Sequence, residues 1–167
     1  HDHATGAYGI RRRECEEAAS LLGVAMLADV PVAGLDAALE GLPADLAARA
    51  RHVVTDTERC REAARAVRDG RPRDLGPILT AAHASMRDDF AASAPAVDAA
   101  VDAAVAAGAL GARITGGGFG GACIALVDVD AADGIAERVV ALVTAAGHPT
   151  PTTFVVRASD GARRESR

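Results

Sequence analysis

Apolar residues in the first two-thirds of the chain recur at helical spacing. Cys15, Ala18, Ala19 and Leu22 line one face, and Gly23 supplies a stop. A turn-rich stretch with Pro31, Gly34, Gly41 and Pro43 follows. From Ala44, the residues Leu46, Ala50, Val53, Val54, Thr57, Ala64 and Val67 share one face of a long helix that Gly70 ends. Pro72 breaks the chain. Asp74 is placed to cap a third helix, with Leu75, Ile78, Leu79, Ala82, Met86 and Phe90 on its inner face. Pro95 stands where a first-turn proline belongs, and Val97, Val101 and Val105 continue a fourth helix to Gly108.

The period then changes. Residues 111–115 (GARIT) and 122–129 (ACIALVDV) are short, β-branched and apolar, which predicts two strands. The glycine-rich turn between them makes them an antiparallel hairpin. Asp130 is placed to cap a last helix with Ile135, Val139, Leu142, Val143 and Ala146 inside, closed by Gly147. Residues 152–157 (TTFVVR) predict a final strand able to join the same sheet. The fold class predicted is α+β: helices packed on a small antiparallel sheet, helical first and then β-β-α-β. One domain is expected over residues 1–158, with a polar tail over 159–167.

Composition narrows the chemistry. The 167 residues include 41 Ala and 18 Arg but no Lys, Asn, Gln or Trp. The missing lysine excludes a Walker A site, a Schiff base and a pyridoxal-phosphate anchor within this sequence. The missing asparagine excludes a glycosylation sequon. Half the residues are hydrophobic, yet one Tyr and three Phe are the only aromatics, so the core must be aliphatic. A net charge of −5 argues against nucleic acid or an anionic membrane as the partner. Cys15, Cys60 and Cys123 are far apart, have no metal-ligand spacing, and read as small buried hydrophobes in a reducing compartment. No signal-peptide pattern and no apolar run of about 20 residues occurs, so a cytoplasmic location is expected. The first residue is His1, which suggests a piece of a longer chain.

Four segments carry possible chemistry. The first is Arg113-Ile-Thr-Gly-Gly-Gly-Phe-Gly-Gly121, with five glycines among its last six residues. Glycines permit backbone angles closed to other residues and let a ligand approach the main chain. Amides in such a loop can form an anion-binding nest. A plain hairpin turn needs one or two glycines, not five. The second is Tyr8-Gly-Ile-Arg-Arg-Arg-Glu-Cys-Glu-Glu17, read as the first turn of a helix, where three arginines oppose the macrodipole. They either pair locally, as Arg11–Glu14, Arg12–Glu16 and Arg13–Glu17, or face an anionic site. The third is His83-Ala-Ser-Met-Arg-Asp-Asp-Phe90, with His83, Arg87 and Phe90 on one helical face. Adjacent Asp88 and Asp89 point about 100° apart on a helix and chelate poorly, so a salt-bridge network is the better reading. The fourth is Arg51-His-Val-Val-Thr-Asp-Thr-Glu-Arg59, explained by an amphipathic helix face. Spacing alone gives no triad, zinc pattern or paired-carboxylate site.

The run GARITGGGFGGACIALV resembles the third conserved motif of the galactokinase family of GHMP small-molecule kinases, usually close to G-x-R-M-T-G-G-G-F-G-G-C. The Tyr8 segment, RHVVTDTER and HASMRDDFAASAPAVD fall in family order, and together the motifs cover about residues 1–130. The resemblance implies a two-lobed fold and ATP-dependent phosphorylation of galactose at its anomeric hydroxyl, with Mg2+. It places this chain in the C-terminal lobe. The catalytic residues, the glycine/serine phosphate loop and the principal ATP and Mg2+ ligands are then expected in an N-terminal lobe. The 167 residues are expected to be inactive alone and to hold neither a catalytic nor a metal-ligating residue. By the same resemblance Tyr8 contacts the galactose ring. Arg113, Thr115, Gly116, Gly117, Gly118, Phe119, Gly120 and Gly121 belong to a loop beside the active site that supports the nucleotide loop of the other lobe. The sequence departs from the family at Ile114 (Met), at Ala122 (Cys, with Cys123 one later) and at Phe90 (Tyr). Other readings are a related sugar 1-kinase acting on N-acetylgalactosamine or arabinose, and a non-catalytic sugar-binding regulator.

Overall fold

Alanine, the residue that loses least on entering a helix, dominates the chain, and most of it is helical. The computed structural model describes residues 2–157, 161 and 164. Helix α1 (Asp2–Leu21) is followed by a 3-10 turn at Leu27–Asp29 and a short helix α2 (Leu35–Leu39). Helices α3 (Ala44–Arg68), α4 (Leu75–Asp88) and α5 (Pro95–Ala106) come next. Strands β1 (Gly111–Thr115) and β2 (Ala122–Leu126) pair antiparallel, with Gly111 opposite Leu126 and Thr115 opposite Ala122. Helix α6 (Ala132–Ala145) is the last element. The α+β class, with helices packed on a small antiparallel sheet, is the one the pattern predicts.

Two apolar clusters divide the molecule. Ala18, Ala19, Leu27, Leu35, Leu39, Leu46, Ala50 and Val54 join α1, α2 and α3. Val97, Val101, Ala112, Ile114, Ile135, Val139 and Val143 join α5, β1 and α6. Helix α4 lies between them and packs on both α3 and β1. Ser85 and His83, two residues apart on α4, point about 200° apart and so reach opposite sides. Ser85 meets His52 of α3, and His83 meets Ile114 of β1. The approach of α4 to β1 is close enough to demand glycine. A Cβ on Gly111 would lie 1.9 Å from the Gly76 carbonyl oxygen, and one on Gly76 would lie 2.2 Å from that of Leu110.

Several local expectations are corrected. Residues 152–157 form no strand, and Phe154, Val155 and Val156 are exposed. The sheet therefore has two strands among the described residues, because nothing pairs with the outer edge of β2. β2 stops at Leu126, since Val129 enters a 3-10 turn and is exposed. Helix α1 begins at Asp2, so Arg11, Arg12 and Arg13 lie mid-helix, where the end-dipole penalty does not act. Val67, Val105 and Leu142 face solvent, and Ala66 takes the inner position expected of Val67. Asp74 precedes α4 but spends its carboxylate on Arg71, and Asp130 lies in the turn before α6; neither side chain caps its helix. Cys60 is exposed rather than buried, while Cys15 and Cys123 are half-buried; all three are free thiols. Burial raises the thiol pKa of both Cys15 and Cys123. The tail expected from Ser159 falls, apart from Gly161 and Arg164, outside the described residues.

Candidate functional site

The six-residue loop Gly116–Gly121 closes the β1–β2 hairpin, and its backbone explains its composition. Gly116, Gly118, Gly120 and Gly121 all have positive φ, from +81° to +122°. Phe119 is also left-handed, at φ +63°, a conformation that costs a non-glycine residue about 1–2 kcal/mol. A specific contact holds it there. The Phe119 N–H donates to the Ala92 carbonyl at 2.7 Å. Gly118 presses against the same oxygen, and a Cβ there would stand 2.5 Å from it.

Ala92 belongs to the linker between α4 and α5, and that linker is itself bent. Ala91 has φ +48°, the other left-handed non-glycine residue among those described. Two arginines engage the linker. Arg49 on α3 donates to the carbonyl of Asp89, the residue after the last turn of α4, where backbone acceptors lack helical partners. Arg11 on α1 donates to the Ala91 carbonyl at 3.4 Å and stands 5.8 Å from the centre of the Phe90 ring. Both guanidinium groups share Glu14, bonding the same carboxylate oxygen. Arg11 and Arg49 are each only 12% exposed in their side chains. Of the local pairs foreseen in α1, Arg11–Glu14 and Arg12–Glu16 form, and Arg13–Glu17 does not.

Two buried histidines brace the other side of α4. His52 Nδ1 lies 3.0 Å from Ser85 Oγ, and the Ser85 hydroxyl donates to Asp89 at 2.7 Å. The serine's proton is thus committed to the carboxylate, so His52 donates from Nδ1. Its ring also packs on Phe90, with centroids 4.4 Å apart. Burial holds the His52 pKa down at about 4, against the opposing pull of Asp56. His83 accepts the Ile114 N–H on Nδ1 at 3.3 Å. Its Nε2 stands 3.2 Å from Asp98 Oδ1, close enough for an ion pair but without hydrogen-bond alignment. Burial lowers the His83 pKa as well.

The segments singled out from the sequence thus meet through the linker, though not always as foreseen. His83 and Arg87 border one groove beside α5, but Phe90 does not join them. His83 turns to β1, Phe90 lies past the end of α4 against His52, and exposed Arg87 pairs with Asp88. The salt bridge expected there forms at Asp88, with Arg87, whereas Asp89 accepts from the Ser85 hydroxyl and pairs with no cation among the described residues. Arg113 reaches the Ile114 carbonyl and lies 3.9 Å from Asp56 of α3. Thr115 is exposed at the end of β1, and Tyr8 is 57% exposed, one turn before Arg11 on α1. The sequence reading missed Arg49, Ala91 and Ala92. Arg49 had a signal: it is three residues after Leu46 and four before Val53, so it stands on the apolar face of α3. Among the described residues, no three His, Cys, Asp or Glu side chains are grouped to hold a metal ion, and no helix is long and apolar enough to cross a membrane.

Residues 63–143 match the family model described as GHMP kinases C terminal. The galactokinase of Streptomyces coelicolor is 48% identical over 166 residues, which are 98% of this chain and 43% of that protein. The chain carries a GHMP kinase C-terminal domain. Galactokinase of Mycobacterium tuberculosis strain H37Rv is 47% identical over 97% of this chain and 45% of its own length. The crystal structure of Lactococcus lactis galactokinase complexed with galactose superposes with a TM-score of 0.79 at 33% identity. That match covers 86% of this chain and 39% of the solved one. The chain therefore spans less than half the length of the relatives it matches.

Proposed function

We propose that this GHMP kinase domain is the C-terminal lobe of a galactokinase. The reaction is transfer of the γ-phosphoryl group of ATP to the anomeric hydroxyl of galactose, giving galactose 1-phosphate. The observation that carries the reading is near-end-to-end similarity to galactokinases at 47–48% identity. The anchored glycine loop supports it, since a family motif is here a built feature of the fold.

In this proposal Tyr8 offers its exposed phenol to the sugar as a hydrogen-bond partner. The residues Gly116–Gly121, flanked by Arg113 and Thr115, form one wall of the active site. Their missing side chains let the second lobe and its nucleotide loop come close. ATP and Mg2+ are the co-substrate and metal of the reaction. Their principal ligands, and the catalytic groups, belong to an N-terminal lobe, in keeping with relatives more than twice the length of this chain. Such positioning and charge stabilisation are what phosphoryl transfer requires. The enzyme acts in the cytoplasm in this reading.

Two assays test it. The 167-residue chain, given ATP, Mg2+ and galactose, yields no galactose 1-phosphate; turnover above a buffer blank contradicts the assignment of catalysis to the other lobe. In a kinase containing both lobes, galactose is the preferred substrate over N-acetylgalactosamine and arabinose, and Tyr8→Ala raises KM with little change in kcat. An unchanged KM removes Tyr8 from the sugar site.

A further inference from the structure

The route from α1 and α3 to the glycine loop is short and continuous. Glu14 binds both Arg11 and Arg49 through one oxygen. Those arginines hold the carbonyls of Asp89 and Ala91, on either side of Phe90. The next carbonyl, that of Ala92, accepts the Phe119 N–H and touches Gly118. Ala92 is completely buried, and the Ala91 backbone before it is left-handed. In the Ala-Ala-Ser-Ala linker, Ser93 donates to Asp98 and the Ala92 N–H donates to the Met86 carbonyl, but the left-handed turn at Ala91 has no side-chain anchor of its own. The fixed guanidinium fork of Arg49 supplies one, because it bonds a carboxylate and a carbonyl at once.

We propose that Arg49, with Arg11 and Glu14, is a positioning group for the glycine loop: it sets the Ala92 carbonyl, and that carbonyl sets Gly118 and Phe119. Arg49 touches no substrate in this arrangement. Its effect on turnover rests on the reading of the loop as an active-site wall, but its effect on the loop does not.

The test uses Arg49→Lys, which keeps the charge and most of the bulk but has no fork to span Glu14 and Asp89. Amide hydrogen exchange is followed at Phe119 and, as a control, at Val139 and Val143 of α6. The expected result is exchange at Phe119 faster by about tenfold or more, with α6 unchanged. Glu14→Gln, which leaves a neutral acceptor for both arginines, gives the same pattern and is the deciding variant should Arg49→Lys fail to fold. Exchange at Phe119 within about twofold of the parent chain overturns the inference. An equal rise in α6 also overturns it, because that is general destabilisation. In a two-lobed kinase, Arg49→Lys lowers kcat about tenfold and leaves the KM for sugar within about twofold. A loosened loop with unchanged kcat refutes the loop's place in the active site rather than the tether.

Discussion

Gly118 shows how one position is fixed by two independent constraints. Its φ of +84° disfavours any side chain, and its Cβ direction runs into the Ala92 carbonyl. Gly118→Ala is expected to cost about 2 kcal/mol or more in urea unfolding, from left-handed strain plus the displaced loop. The neighbouring Gly117, with open space at its Cβ and no positive φ, is expected to accept alanine with much less loss. His52 sets a second residue-level expectation. Unfolded, it titrates near 6.5; folded, at about 4. Between those values the unfolded state binds the extra proton, so His52 contributes its full stability above about pH 6.5. That contribution is lost as pH falls towards 4, by about 3 kcal/mol in all. Urea midpoints measured from pH 7 to pH 4 will fall steeply in the parent chain and less steeply in His52→Phe.

Among the elements, the contact of α4 with β1 is the least forgiving. Gly111→Ala drives a Cβ into the backbone of Gly76, and backbone cannot turn aside as a side chain does. The expected cost is about 3 kcal/mol, read as a fall in melting temperature of about 10 °C. Much of the element pattern was legible in advance, because alanine-rich faces at helical spacing and a glycine-closed pair of β-branched runs leave few alternatives. What was misread has local causes. Residues 152–157 are rich in β-branched and aromatic side chains like a strand, but composition does not supply a neighbouring edge. Val67, Val105 and Leu142 follow the apolar helical period yet face out, because hydrophobicity alone cannot reveal which apolar residues lack a facing element. The glycine loop announced itself through composition. Its anchor did not, since Ala91 and Ala92 are chemically plain and act only through their carbonyls.

At the scale of the whole molecule, apolar surface remains uncovered. Phe154, Val155 and Val156 are 68–80% exposed, and Ile124 on β2, whose outer edge is unpaired, is 44% exposed. The 167-residue chain is expected to bind a dye such as anilinonaphthalene sulfonate, with the signal reduced in Phe154→Ser. An unaltered signal in that variant would place the adsorbing surface elsewhere. The two cores are joined across α4 and the linker that follows it, and the linker turns at Ala91. Glycine in that place could drift through a continuum of shapes. Alanine has one narrow left-handed well and is otherwise excluded from that half of conformational space. The linker is therefore either seated in that well or out of it.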